Sequence, residues 1–298
     1  MILNYTIKNT DNFITVKEVL KAYFNISDRL LLRLKNSKSI FLNNLPTYVS
    51  KQVNANDTVT VIIDFIEESP NIVPTKMNLN IIYEDDCYLI INKPPHIPVH
   101  PSILHYDNSL SNGVKYYFDS IGLKRKLRPV NRLDKDTSGL VIFAKNEYIQ
   151  ECLVRQMKSK ELKKTYIAIC DGIFEKKKDT INLPIARKPG SIIERCIDPS
   201  GDISITHYEV IDTLKNVSIV KCLLETGRTH QIRVHLSSIN HPILGDSLYG
   251  NKNTEVSRQL LHAYQLEFYH PLTKKLVKYT APIPADFLPY FKLESQLL

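Results

Sequence analysis

Apolar residues recur at alternate positions in short runs along most of the chain, a period that is typical of β-strands. After residue 76 these runs predict strands at residues 79–83, 88–92, 140–144, 165–169, 206–211 and 217–224. Apolar residues at helical spacing predict helices at residues 109–118, 147–159 and 230–239. Because the strands come in runs with helices inserted between them, the chain predicts an α+β fold with a mixed or antiparallel sheet.

The first 66 residues predict a small separate module. Thr15 and Glu18 have the spacing of a capping box at the start of a first helix. Ser27 can cap a second helix, whose leucines recur on one face. Strands at residues 39–42 and 58–63 follow. The module therefore predicts two short helices and a small sheet.

Turn-forming and charged segments divide the rest of the chain. Residues 67–76 contain two prolines and predict a linker. Residues 77–298 then make up a larger second domain. The basic run at residues 174–179 predicts a solvated hairpin tip within that domain.

The charge balance favours an anionic partner. Lys and Arg number 39 and Asp and Glu 31 among the 298 residues, which gives a formal net charge of +8. Positive charge favours binding to phosphates, because bound counterions are released. The 43% hydrophobic and 23% charged composition is that of an ordinary soluble globular protein, so a disordered or fibrous chain is excluded.

Cysteine usage and the N-terminus indicate a cytoplasmic protein. The five cysteines are widely spaced and form no Cys-x-x-Cys pair, which favours free thiols over disulfides or a zinc site. The first residues lack the basic start and apolar core of a signal peptide. No apolar run approaches the roughly 20 residues that span a membrane. We therefore expect neither a membrane partner nor export.

A candidate for chemistry stands in residues 128–140. Asp134 lies between Arg132 and a Thr-Ser-Gly turn, directly before the apolar run at residues 140–144. A loop next to a buried strand is where catalytic residues concentrate. An isolated Asp in such a loop commonly caps the turn, so the local pattern alone leaves both roles open for Asp134 and for Asp136.

The same loop resembles the His-Arg-Leu-Asp-x-x-Thr-Ser-Gly loop of the RluA-type pseudouridine synthases. Six residues match that pattern: Arg132, Leu133, Asp134, Thr137, Ser138 and Gly139. The resemblance implies that Asp134 is the catalytic residue and that Asp136 has a structural role. Asn131 stands where the family usually has His.

Two further strings carry the resemblance. Residues 163–169 are similar to the family's Lys-Thr-Tyr strand, which implies that Tyr166 packs on the target uracil and handles the proton at carbon 5. Residues 225–236 are similar to the family's Gly-Arg-Thr-His-Gln-Ile-Arg-Val-His string, which implies that Arg233 pairs with Asp134 and keeps its carboxylate ionised. Matches continue in the right order from about residue 79 to residue 287.

Several further side chains are candidates for contact with RNA. The resemblance implies that Arg132 helps to take the target base out of the stack. The basic run before the Asp loop places Lys124 and Arg125 where they could contact phosphates. The remaining candidates for substrate binding are Asn131, Arg228 and His230. His230 and His235 are five residues apart, so one helix face would not present both to a metal.

The resemblance implies an isomerase that converts uridine to pseudouridine in RNA, with no metal and no cofactor. Asp134 could attack the anomeric carbon, stabilise positive charge there, or remove the 2′ proton. The N-terminal module resembles the RNA-binding module named after ribosomal protein S-four, so residues 77–298 would be the catalytic domain. Ribosomal RNA of the large subunit is the expected substrate, transfer RNA is the alternative, and the protein is expected to be a monomer.

Two other functional classes fit parts of the sequence. Asp134, Asp136 and Thr137 partly match the Asp-x-Asp-x-Thr motif of haloacid-dehalogenase-type phosphatases, although the preceding residues are too polar for the strand that this motif requires. A non-catalytic RNA-binding or ribosome-assembly protein is the second alternative. The joint presence of Asp134, Tyr166 and Arg233 argues against it.

Overall fold

The fold was analysed in a computed structural model that describes residues 1–251 and 256–291. The N-terminal part comprises β1 (Ile2–Thr6), α1 (Val16–Glu18), a π-helical continuation (Val19–Tyr23), α2 (Asp28–Asn36), β2 (Ile40–Leu42), β3 (Leu45–Pro46) and β4 (Thr58–Ile62). Its four strands form one antiparallel sheet in the order β1-β4-β2-β3. The two helices and the small sheet predicted for this part are present, and β1 is an additional edge strand.

The N-termini of the two helices in this part are capped differently. Ser27 accepts the backbone N–H of Leu30 at 3.2 Å, so the predicted cap of α2 is confirmed. The capping box at Thr15 is wrong, because the Thr15 hydroxyl donates to the Glu18 carboxylate instead of accepting a helix amide. The Glu18 carboxylate instead accepts the backbone N–H of Ile14 at 2.8 Å.

The larger part follows from residue 81. Its strands are β5 (Ile81–Glu84), β6 (Tyr88–Lys93), β7 (Ser138–Ala144), β8 (Lys163–Asp171), β9 (Lys178–Asn182), β10 (Ile185–Arg187), β11 (Arg195–Ile197), β12 (Ile205–Leu214), β13 (Val217–Leu224), β14 (Leu261–Tyr269) and β15 (Leu276–Thr280). Its helices are α3 (Leu110–Ser120), α4 (Glu147–Lys158), α5 (Gln231–Ser238) and a 3-10 helix (Ala285–Tyr290). All six strands and all three helices predicted for this part are found, within a few residues at their ends. Residues 292–298 of the predicted domain lie outside the described residues.

Nine of these strands form one mixed sheet. The order is β5-β6-β7-β14-β8-β13-β12-β9, and β15 also pairs with β14. Among the strands of the described residues, every pairing in this sheet is antiparallel except that of β7 with β14. The predicted α+β class with a mixed sheet is therefore confirmed. Within residues 1–251 and 256–291, none of the helices has the length and apolar character that a membrane crossing requires.

The N-terminal part packs on the larger part through α2 and α4. One hydrophobic cluster includes Leu30 and Leu34 of α2 together with Ile149 and Leu153 of α4. Buried apolar side chains on both sides of this contact supply the main favourable term in its free energy. The small sheet is thus fixed against the helix that follows β7. The boundary at residue 66 stays a prediction, because the two sheets share this core.

Polar side chains fasten the start of the predicted linker. The Glu67 carboxylate accepts hydrogen bonds from Arg33 and from Arg128, both at 2.8 Å. Arg33 also donates to Glu147 of α4 at 2.7 Å. The start of residues 67–76 is therefore hydrogen-bonded to both parts of the chain and is not a free linker.

The prediction of a hairpin tip at residues 174–179 is wrong. The strands on either side of it have different partners, since β8 pairs with β13 and β14 while β9 pairs with β12. Phe174 is buried, and its ring stacks on His241 with 3.8 Å between ring centroids. Phe174 therefore anchors the connection from β8 to β9, although the residues that follow it are charged.

Candidate active site

The loop that carries Asp134 is held by its backbone. The buried ammonium of Lys93, at the end of β6, donates to the carbonyl of Lys135 at 2.9 Å and to two carbonyls of its own loop. Arg258 donates to the carbonyl of Asp136 at 3.1 Å. Because both bonds go to the backbone beside Asp134, they fix the loop and leave the Asp134 carboxylate free to face the cleft.

Asn131 ties the start of the loop to β7. Its side-chain amide donates to the carbonyl of Leu140 at 3.0 Å and accepts the N–H of Ile142 at 2.9 Å. The residue is buried and lines the cleft, but both of its polar atoms are engaged with backbone. Its side chain therefore positions the loop, and its contact with substrate stays a prediction.

Gly139 allows the loop to enter β7 in close contact with β14. Its φ is +114°, and a Cβ at this position would lie 2.3 Å from the carbonyl oxygen of Ala263. Only glycine adopts such a backbone without strain and also leaves room for a neighbouring chain. The preceding Ser138 bonds to His262 Nδ1 at 2.9 Å. The Thr-Ser-Gly turn is thus determined by the packing of two strands.

Asp134 and Arg233 form an ion pair on the wall of the cleft. Arg233 Nη1 donates to Asp134 Oδ2 at 3.1 Å. Arg233 is buried on α5, whereas the Asp134 side chain is 27% exposed. The contact that the sequence resemblance implied is therefore present in the structure, with the carboxylate open to a ligand.

Asp246 orients Arg233, and the sequence analysis missed it. Its buried carboxylate accepts Arg233 Nε at 2.7 Å and Nη2 at 2.8 Å. Burial opposes the charge of Arg233, but the hydrogen bonds and charges of Asp246 and Asp134 outweigh it and raise the Arg233 pKa. This fork uses two nitrogens and directs the third at Asp134. The only signal was the Gly-Asp at residues 245–246, within a string that resembles a later family motif.

Tyr166 lies on β8, buried beside the same cleft. Burial raises the pKa of its hydroxyl, and the negative charge of Asp134 raises it further. The side chain is therefore a neutral phenol near neutral pH. Its position gives the cleft an aromatic surface next to the Asp134 carboxylate.

His230 adds a second polar group near Asp134. It has a left-handed backbone with φ of 58° at the start of α5, and its Nε2 lies 3.8 Å from Asp134 Oδ2. The Tyr249 hydroxyl accepts the N–H of Arg195 at 2.7 Å and shares a hydrogen bond with His230 Nδ1 at 2.9 Å. Burial lowers the pKa of His230. Tyr249 therefore holds the ring with its Nε2 on the side of Asp134.

The cleft has a volume of about 380 Å³, within the range of small-molecule sites. Besides Asn131, six of the predicted site residues line it: Arg132, Asp134, Tyr166, Arg228, His230 and Arg233. Arg132 is exposed on the Asp loop. His235 lies apart, buried between Thr206 and the carbonyl of Leu183, as a core histidine.

The basic run before the Asp loop is outside this cleft. Arg125 donates to the carbonyl of Phe65 and pairs with Asp64, so its guanidinium joins the two parts of the chain. The contact of Arg125 with a phosphate stays a prediction, and its guanidinium is already engaged within the protein. Lys124 does not line the cleft, and its contact with RNA stays a prediction.

One group of potential metal ligands is found among the described residues, away from Asp134. The ligand atoms of Asp85, Cys87 and His270 lie within 4.8 Å of one another. Asp85 accepts His270 Nε2 at 2.8 Å as well as two backbone amides, and burial raises the pKa of Cys87 to about 12. A metal would have to displace these bonds and a thiol proton, so the group is a hydrogen-bonded junction.

Comparison with known proteins agrees with what the geometry of the cleft indicates. The sequence model of the family described as RNA pseudouridylate synthase matches residues 87–238. An uncharacterized RNA pseudouridine synthase of Bacillus subtilis (strain 168), YhcT, is 39% identical over 271 residues, which are 90% of this chain and 89% of the relative. The chain belongs to the RluA-type RNA pseudouridine synthases.

Two further similarities extend this assignment. Ribosomal large subunit pseudouridine synthase D of Pasteurella multocida (strain Pm70) is 36% identical over 251 residues, covering 80% of this chain and 77% of the relative. The solved structure of human RNA pseudouridylate synthase domain containing 1 has a TM-score of 0.58 and 28% identity, covering 69% of this synthase and 83% of that chain. This synthase is an isomerase that converts uridine to pseudouridine in RNA, so the phosphatase and non-catalytic alternatives do not hold.

Proposed function

We propose that this synthase isomerises uridines of large-subunit ribosomal RNA and that Asp134 is its catalytic carboxylate. One observation carries the assignment of Asp134: its carboxylate is paired with the buried Arg233 at 3.1 Å and faces a cleft that also contains Tyr166. The name of the Pasteurella multocida relative, a ribosomal large subunit pseudouridine synthase, supports the ribosomal target. Transfer RNA is the alternative substrate.

The reaction makes definite demands on this cleft. The bond from N1 of uracil to C1′ of ribose breaks, the base turns, a bond from C5 to C1′ forms, and the C5 proton leaves while N1 gains one. A carboxylate next to C1′ can attack that carbon, stabilise its positive charge, or remove the 2′ proton. Arg233 directs the Asp134 carboxylate and balances its negative charge in each case.

Tyr166 supplies the surface against which the base is held. Since burial raises its pKa, the phenol and not the phenolate is the resting form. This favours packing of the ring on uracil, and a neutral hydroxyl that takes up the C5 proton must release its own proton in the same step. Arg132, exposed on the Asp loop, is the side chain proposed to assist extrusion of the base.

Tritium release from RNA that contains [5-³H]uridine tests the role of Asp134. Asp134→Asn removes the charge with little change in shape and should abolish release. Asp136→Asn is the matched control, because the Asp136 carboxylate contacts His96 on the outside of the same loop. Equal loss in both variants, or full activity of Asp134→Asn, would contradict the assignment.

The RNA target is tested in cells. Pseudouridine mapping of total RNA with and without the gene should show sites lost from large-subunit ribosomal RNA, and restoration by the wild-type gene but not by its Asp134→Asn variant. Loss confined to transfer RNA would replace the ribosomal target and leave the assignment of Asp134 intact.

A further inference from the structure

We infer that Lys164 is a phosphate-binding residue of the cleft and takes a backbone phosphate of the RNA beside the target nucleotide. The inference rests on the proposed function only in that RNA occupies the cleft. It concerns a side chain to which the sequence analysis gave no role. Lys164 lies on β8, two residues before Tyr166.

Strand geometry directs Lys164 and Tyr166 to the same side. Alternate residues of a strand share a face, and both side chains line the cleft. Lys163, the preceding residue, points the other way, is exposed, and pairs with Glu267 at 2.8 Å. One strand therefore presents two adjacent lysines, of which only the second faces the substrate.

The ammonium of Lys164 has no counterion. Across the described part of the chain, no carboxylate pairs with it and no acceptor hydrogen-bonds to it, although it is partly buried. Burial alone lowers its pKa. An ammonium that has lost water without gaining a partner raises the free energy of the protein, and an incoming anion would offset that cost.

The surroundings of the ammonium favour a phosphate. Gly227 lies opposite, where a Cβ would stand 3.1 Å from Lys164 Nζ, so the absence of a side chain leaves space beside the charge. The acidic residue that lines the cleft, Asp134, is already paired with Arg233. Lys164 and Arg132 remain as positive charges around the cleft, whereas Arg228 pairs with Asp202 at 3.3 Å. Uracil is neutral, so the phosphates are the part of the substrate that balances them.

The test is RNA binding as a function of salt. Binding of an unmodified large-subunit ribosomal RNA transcript is measured in the Asp134→Asn background, so that no turnover occurs. Each phosphate contact to a single strand contributes about 0.7 to the slope of log K against log salt. Lys164→Met should reduce the magnitude of this slope by about 0.7 and weaken binding about tenfold at about 0.1 M salt. Lys163→Met is the matched control and should leave both unchanged.

Three further measurements separate phosphate binding from other roles. Lys164→Arg should keep the salt slope, because it keeps the charge. Gly227→Ala should weaken binding, because it crowds the ammonium. Lys164→Met should leave the Tm equal or higher, since methionine removes a charge without a partner, whereas a structural lysine would give a lower Tm.

The outcomes that would overturn the inference are specific. If Lys164→Met weakens binding equally at every salt concentration, the lysine contacts an uncharged group. If the Lys163 and Lys164 variants lose the same slope, the effect is general surface charge. Absence of tritium release by wild-type protein on this transcript would count against the target proposed above, while the comparison of slopes alone decides the role of Lys164.

Discussion

Arg233 divides one guanidinium between two carboxylates that have different surroundings. Asp246 is buried and takes two nitrogens, and Asp134 is partly exposed and takes the third. A guanidinium held by a bidentate partner loses its freedom to turn. The contact with Asp246 therefore fixes the direction in which Arg233 donates to Asp134. This contact lies on the side of Arg233 that is away from the substrate.

Asp246→Asn tests this dependence. It removes the charge that balances a buried guanidinium, and breaking such a pair costs about 3 kcal/mol or more of the free energy of unfolding. We expect a loss of that order in urea denaturation and a lower kcat in tritium release. Asp202→Asn, at an exposed acid that pairs with Arg228 at 3.3 Å, should change the free energy of unfolding by less than about 0.5 kcal/mol. An unchanged kcat in Asp246→Asn would contradict the positioning role.

His262 makes the protein sensitive to acid. Burial, followed by the charge of Arg258, lowers the pKa of His262 from 6.5 to about 4. The unfolded chain therefore binds a proton before the folded chain does, and stability falls as the pH drops from 6.5 towards 4. The gap corresponds to about 3 kcal/mol. In His262→Gln the difference in unfolding free energy between pH 7 and pH 4.5 should shrink, and an undiminished pH dependence would contradict this account.

At the scale of elements, the Asp loop is a rigid bridge between β6 and β7. Its backbone is bonded by Lys93 and Arg258, and Asn131 joins its start to β7 by two bonds. Buried polar groups with all partners in place specify one conformation. The loop therefore presents Asp134 before RNA arrives.

Asn131→Ala should loosen this bridge. It leaves the carbonyl of Leu140 and the N–H of Ile142 without their side-chain partners, and two such groups cost about 2 kcal/mol or more. The expected result is a lower midpoint in urea and a kcat that falls more than KM rises. If KM alone changed, Asn131 would contact the RNA directly, as the sequence analysis first expected.

At the scale of the whole molecule, the N-terminal part is fastened to the larger part by charge as well as by apolar packing. Arg33 bonds to Glu67 and Glu147 and lies over the ring of Phe65, at 4.1 Å from its centroid. Ser27 adds a bond to Glu151 at 2.6 Å. These contacts surround the same end of α4, and Arg33 makes most of the polar ones.

Arg33→Ala should open the connection between the two parts. Glu147 would stay buried without this partner while Glu67 keeps Arg128, and the unpaired charge of Glu147 favours separation of α2 from α4. Faster tryptic cleavage at Lys76 is the expected outcome. Arg29→Ala, on the exposed side of the same helix, is the control and should be cut at the wild-type rate. Equal rates in both variants would show that apolar packing alone holds the interface.

The sequence predicts well what is decided locally. The cap at Ser27 depends on residues within one turn, and the strands of the large sheet depend on alternation within each run. The resemblance added the pairing of Asp134 with Arg233 across 99 residues. Phe174, Asp246 and the isolation of Lys164 were not predicted, because each depends on which distant side chains surround it, and no spacing along the chain records that.

The single parallel pairing of β7 with β14 has a consequence for the order of synthesis. Ser138 and its partner His262 are 124 residues apart, and Arg258, which bonds to the Asp loop, lies just before that strand. A nascent chain emerges from its N-terminus onward, and contacts between distant residues close late. Until β14 has been synthesised, the Asp loop lacks its contacts with Arg258 and His262. The Asp loop therefore becomes fully supported only after β14 has left the ribosome.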